Sequence, residues 1–214
     1  MKPEMRAKSV CRNMASWPMF LLVLFLFVVM EPTAVLAQRG ARTLQRNLAD
    51  LVGDSYTIVA GRVVEVRNEP HPQYRNIHTV VVTLDVADVW KGMAGRQFTF
   101  RVFVDDSLDE QASLGYRVGQ QVLLFMTQPS QIGMSSPAGL EQGRFRIQQD
   151  GQGNRVAVNG MSNLGLFRNV TQKAPKLSAQ VSEPARRILA QHRSGPIPYD
   201  TLKEMVLALV TNSQ

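Results

Sequence analysis

The chain alternates between two rhythms of apolar and polar positions, and the change from one to the other divides it. TLQRNLADLV, residues 43–52, places Leu44, Leu48, Leu51 and Val52 at helical spacing, so an amphipathic helix is predicted there, stopped by Gly53-Asp54-Ser55. From Tyr56 the period drops to two. YTIVAGRVVEVR ends in the alternation Val64, Glu65, Val66, Arg67, and Gly61 within it predicts a bulge or bend. After the polar loop NEPHPQYRN, a long strand is predicted over HTVVVTLDVADVW. In it Val80, Val82, Leu84 and Val86 face one way, and Thr79, Val81, Thr83 and Asp85 the other. FTFRVFVD repeats this, with Phe98, Phe100, Val102 and Val104 set against Thr99, Arg101 and Phe103. Two shorter strands, residues 143–148 and 155–158, flank the turn QDGQGN, where Asp150-Gly151 is a turn signal.

GYRVGQQVLLFM, residues 115–126, breaks the rule. Gly115 and Gly119 bracket a turn, but QVLLFM has no polar face. Such a strand needs cover on both sides, as in the middle of a sheet or where a barrel meets a covering element. With alternating strands before and after it, the pattern predicts a mainly β domain. The expected form is a small closed antiparallel OB-like barrel, because closure removes the exposed strand edges. Past Gly160 the chain is polar and irregular, with a short helical piece at EPARRILAQHR. Pro196 and Pro198 precede a helix from Tyr199 with Leu202, Met205, Val206, Leu209 and Val210 on one face. The expected layout is a barrel domain with leading helix over 38–160, an irregular segment over 161–198 and a C-terminal helix over 199–214, docked on the barrel.

The first residues follow neither rhythm. Lys2, Arg6, Lys8 and Arg12 precede the uncharged run FLLVLFLFVVM, residues 20–30, and then EPTAVLAQ. That is the layout of a secretory signal peptide over 1–37, cleaved between Ala37 and Gln38. The apolar run is about half of the roughly 20 residues that a spanning helix needs, which favours cleavage over anchoring. The expectation is a secreted or periplasmic protein with no membrane association after cleavage. Cys11, the one cysteine among 214 residues, falls inside that segment. The mature chain would therefore hold neither a disulfide nor a thiolate site. Removing the four Lys/Arg and two Asp/Glu of residues 1–37 leaves 20 basic and 15 acidic residues, scattered along the chain. This is a weak pull toward anionic partners.

GRVVEV, the long strand ending VWKG and GYRVGQQVLLFM together resemble the OB-type barrel of netrin-like domains, which includes the N-terminal domain of tissue inhibitors of metalloproteases. They more closely resemble a class of exported bacterial proteins of that shape, without an assigned activity. The resemblance spans residues 49–158 and implies fold more than function. Those inhibitors chelate their target's zinc through an N-terminal cysteine. The mature start expected here is Gln38-Arg39-Gly40, so that mechanism does not carry over.

Candidate chemistry is sparse. His71, His78 and His192 are dispersed and read as solvated loop residues, not zinc ligands. Asp105, Asp106, Asp109 and Glu110 cluster without the rhythm of a calcium loop. No Ser lies in a nucleophile elbow. The expectation is no catalytic residue, no metal and no cofactor. Tyr56, Tyr74, Phe103 and Tyr116 are the aromatics expected at the surface. Arg101, Phe103 and Tyr116 form the candidate ligand face, since an aromatic beside a guanidinium can stack a sugar or base. The competing and favoured expectation is that the C-terminal helix covers this side.

The functional expectation is an exported, non-enzymatic binding or accessory module whose partner is an extracytoplasmic protein or glycan. Export argues against nucleic acid, and nothing in the sequence fixes the oligomeric state. The alternatives are an inhibitor or partner of an extracytoplasmic protease, and a hydrolase using an acidic-loop carboxylate.

Overall fold

The computed structural model describes residues 44–104 and 115–212. The expected cleavage site at Ala37/Gln38 and the acidic cluster Asp105 to Glu110 lie outside them. The described residues belong to one compact unit.

Its centre is a seven-stranded antiparallel sheet in the order β3-β2-β1-β4-β5-β6-β7. The strands are β1 (Thr57–Pro70), β2 (His78–Lys91), β3 (Gln97–Phe103), β4 (Gln121–Met126), β5 (Arg144–Gln149), β6 (Arg155–Asn159) and the two-residue β7 (Ile197–Pro198). β1 pairs with β2 along its length and with β4 through Thr57–Arg62. Register shifts interrupt the β1–β2 ladder at Ile58/Val59, Ala60/Gly61 and Val63/Glu65. Each extra residue bends the strand. At Gly61 a Cβ would lie 2.5 Å from the Asp85 carbonyl oxygen, so the two backbones approach more closely than any other residue permits.

The sheet is open, which corrects the closed barrel expected from the sequence. β5 and β6 continue outward from β4 and do not return to β3, leaving β3 and β7 as edges. The extra residues, Trp90 and Ala87 on β2 and Val64 on β1, nonetheless bend this pair so that β1 to β4 roll around a shared apolar centre. Val59, Val63, Val80, Val82, Leu84, Phe100, Val102, Leu124 and Met126 meet there. The β3 edge is partly covered, since Met134 bridges to Arg101 and the Ser135 N–H donates to the Arg101 carbonyl at 2.9 Å. The other edge is only two residues long and ends in proline, which cannot extend a ladder.

Helices cover the other apolar face of the sheet, around β4 and β5. They are α1 (Leu48–Asp54), α2 (Val170–Lys173), α3 (Leu177–Gln180), α4 (Glu183–Gln191) and α5 (Tyr199–Asn212). α1 starts later than its periodicity suggests, because Asn47 caps it. The Asn47 side chain accepts from the Asp50 N–H at 3.0 Å, and Asp50 returns the bond to the Asn47 N–H. Leu44 therefore precedes the helix and is exposed. α5 buries Leu202, Met205, Val206 and Leu209 against Ile58, Ala60, Leu123, Phe125 and Phe145. The segment read as irregular supplies Leu166, Phe167, Val170, Leu177, Val181, Ala185 and Leu189 to this second cluster. β4 thus has two apolar faces because Val122, Leu124 and Met126 face the rolled sheet while Leu123 and Phe125 face the helices.

Polar contacts orient α5. Trp90 Nε1 donates to Asp88 Oδ2 at 3.1 Å, Lys203 pairs with the same carboxylate, and the Trp90 and Tyr199 rings lie 5.3 Å apart. Burial pushes the Asp88 carboxyl up, but the bonds from Lys203 and Trp90 outweigh it and hold it below the usual carboxylate range. Among the described residues no helix is long and apolar enough to cross a membrane.

Candidate functional site

The residues singled out from the sequence divide between the two faces of the rolled sheet. Arg101 and Phe103 are two apart on β3 and share its outer face, next to Val81 and Thr79 of β2. Beyond β2 on the same rows stand Arg67 and Glu69 of β1. Phe103 is 55 % exposed. The terminal helix does not cover it, contrary to the favoured expectation. α5 packs at the other end of the sheet, over the start of β1 and Trp90 at the end of β2.

Arg101 is not a free surface cation. Its Nη2 pairs with Glu69 Oε1 at 2.5 Å, its Nη1 donates to Thr79 Oγ1 at 2.7 Å, and its side chain is only 19 % exposed. Thr79 Oγ1 in turn donates to the Glu69 carbonyl at 2.6 Å. Arg67 adds bonds to Glu65 (3.0 Å) and Glu69 (3.4 Å). The guanidinium is therefore fixed beside an exposed ring, with little side-chain freedom left to lose on binding.

Although Arg101 stands on the polar side of its strand, this geometry makes Arg101→Asp destabilising. The substitution sets a carboxylate against Glu69 and strips a partner from Thr79. It should cost about 1–2 kcal/mol, given the partial exposure of the pair. Thermal melts should show Arg101→Asp below the parent, with Glu69→Lys added to it recovering part of the loss. No recovery would mean that the pair is not a stabilising contact.

Tyr116 does not join this face. Expected at the surface, it is 6 % exposed and packs in the rolled centre, edge-on to Phe100 at 5.6 Å. The Arg144 guanidinium lies 4.9 Å from the ring centroid, and its Nη2 reaches both Glu141 oxygens at 2.7 and 2.6 Å. Burial pushes the Tyr116 hydroxyl well above its usual range, with the Arg144 charge opposing only part of that. Gly115 makes the packing possible. It adopts φ +60°, and a Cβ there would lie 2.7 Å from Arg144 Nη1. Arg144 resembles any surface arginine in the sequence, and only the fold brings it over Tyr116.

Two histidines are structural where solvated loop residues were expected. His71 is buried; its Nδ1 accepts from the Gln73 and Tyr74 N–H groups, both at 3.2 Å, and its Nε2 donates to the Ile132 carbonyl at 2.8 Å. It ties the β1–β2 loop to the β4–β5 connection. His192 is half-buried, packs edge-on to Phe167 at 5.5 Å and hydrogen-bonds the Gly195 carbonyl through Nε2 at 3.1 Å. His78 is exposed at the start of β2. The fold does not bring the three together, and among the described residues no cluster of His, Cys, Asp and Glu could hold a metal ion. Comparison with protein-family models, with curated proteins and with solved structures finds no match.

Proposed function

We propose that this protein is an exported, non-enzymatic binding module that engages an extracytoplasmic protein through the outer face of β1–β3, with Phe103 at its centre. The observation that carries the reading is Phe103 itself: a large aromatic, more than half exposed, on a face that α5 leaves uncovered. Aromatic and arginine side chains dominate the energetic centres of protein interfaces. Here the arginine is already held by Glu69 and Thr79. The ion pairs around the ring give that centre a polar rim, as protein interfaces have. Export is supported by the basic start, the apolar run of residues 20–30 and the small residues before Gln38.

The test is site-specific photo-crosslinking in the cells that make the protein, with the full chain carrying a photoreactive phenylalanine at position 103. A second chain carries it at Met93, an exposed position in the β2–β3 connection, at the opposite end of β3 from Phe103. The expected result is a discrete protein adduct at 103 and none at 93, on a chain whose intact mass begins at Gln38. Equal labelling at the two positions, or a glycan adduct at 103, would overturn the reading of the face. A mass that retains residues 20–30 would overturn export.

A further inference from the structure

A cleft of about 690 Å³ opens between the turns before α2 and the C-terminal end of α4, within the range of roughly 300–1,000 Å³ typical of small-ligand sites. Residues distant in sequence build it, and the backbone of one residue, Gly165, links two of its segments. The Gly165 N–H donates to the Arg193 carbonyl at 3.3 Å, and the Arg168 N–H donates to the Gly165 carbonyl at 3.1 Å. Two arginines 25 positions apart therefore leave the backbone on either side of the same glycine. Gly165 has φ +68°, and a Cβ there would fall 2.0 Å from Gln45 Nε2, which donates to the Leu164 carbonyl at 2.9 Å. Both arginines are exposed, no carboxylate lines the cleft, and neither arginine forms an ion pair among the described residues, while Arg193 Nη1 donates to the Ala190 carbonyl at 3.2 Å and keeps its other N–H groups. The lining also holds the amides of Gln45, Asn169 and Gln172, the His192 imidazole, and exposed Leu164 as an apolar surface.

We propose that this cleft binds an acidic sugar, a uronate unit of an oligosaccharide, with its carboxylate on Arg168 and Arg193. Guanidinium groups match a carboxylate in shape and charge. The side-chain amides both donate and accept, as sugar hydroxyls do, and Leu164 faces the C–H surface of the ring. Inorganic phosphate has too few hydroxyls to occupy the amides, and an acidic peptide has no ring C–H surface to set against Leu164. The site is independent of the Phe103 face, and the proposal stands whatever that face binds.

The test is calorimetric titration of the purified full-length chain with trigalacturonate, its methyl-esterified form, inorganic phosphate and a tetraglutamate peptide. Trigalacturonate should bind saturably. The ester, which keeps every hydroxyl and loses the charge, should bind at least about tenfold more weakly. Phosphate and the peptide should also be weaker than trigalacturonate. The double variant Arg168→Gln, Arg193→Gln should lose about tenfold or more in affinity, and both positions are exposed, so its circular dichroism should match the parent. The ester comparison on the parent chain keeps the test independent of how that variant folds. No saturable binding of trigalacturonate up to about 10 mM would overturn the proposal. So would equal binding of the ester, equal or tighter binding of phosphate or peptide, or an unaffected double variant that is folded.

Discussion

Leu124→Asp should abolish cooperative folding. Leu124 is fully buried at the centre of β4, opposite Val59 on β1 and Arg144 on β5, within the apolar centre of the rolled sheet. An aspartate there must either keep an unpaired charge away from water or protonate at neutral pH. Loss of the leucine packing adds to either cost. The sum is several kcal/mol, set against a total stability of about 5–15 kcal/mol for a domain of this kind. Leu123→Asp should do the same from the other face of the strand, since Leu123 is equally buried among the helices. Met93→Asp, at an exposed turn, should leave the melt unchanged. The measurement is thermal unfolding by circular dichroism. A Leu124→Asp melt within a few degrees of the parent would mean that β4 is not enclosed on that side.

Asn163→Ala should be the most damaging polar substitution, costing about 3 kcal/mol or more. Asn163 has no solvent exposure, and its side chain serves three backbone groups at once. Its Oδ1 accepts from the Asn159 N–H at 2.9 Å, and its Nδ2 donates to the carbonyls of Ala157 (3.0 Å) and Gly195 (2.8 Å). Alanine would strip the side-chain partner from the buried Asn159 N–H and the buried Ala157 carbonyl, and leave the Gly195 carbonyl with the His192 bond alone. Through Gly195 the same side chain anchors the turns that carry Arg168 to the loop that follows Arg193. Asn163 also sits at φ +56°, a conformation that costs other residues about 1–2 kcal/mol. Asn163→Gly separates the two contributions, because glycine carries no such strain. If the hydrogen bonds dominate, the glycine variant should melt almost as low as the alanine variant. A glycine variant close to the parent would assign the effect to backbone strain.

The short-range features were legible because their causes lie within a few residues. β4 was predicted at its observed bounds from an unbroken apolar run. The Gly61 bend appears as a register shift, and Gly115 and Gly119 adopt φ +60° and +88°. The Asp150-Gly151 turn forms as expected, with Asp150 Oδ1 accepting from the Gln152 and Asn154 N–H groups. β7 was missed because a strand of two residues, one of them proline, has no periodicity to detect. Tyr116 and His71 were misplaced for a related reason. Each lies next to a turn, where composition suggests exposure, and each is buried by groups remote in sequence: Arg144 in one case, the Ile132 carbonyl in the other. The cleft was not legible at all, since neither Arg168 nor Arg193 belongs to a motif.

By itself, then, the sequence determined β1 to β6, the bends and turns between them, the amphipathic face of α5 and the fact that β4 needed cover on both sides. Period and turn chemistry are properties of neighbouring residues, so they survive in the linear order. The tertiary structure alone decided what supplied that cover. β4 meets the rolled sheet on one face and helices on the other, and the sheet runs on through β5 and β6 to an open edge. An apolar face specifies only that something must exclude water from it, because hydrophobic attraction has no direction and no memory of sequence distance. Whether a strand or a helix fulfils that requirement depends on how the whole chain packs. The same packing fixed which charges ended up paired, as Arg101 is, and which were left facing a cleft.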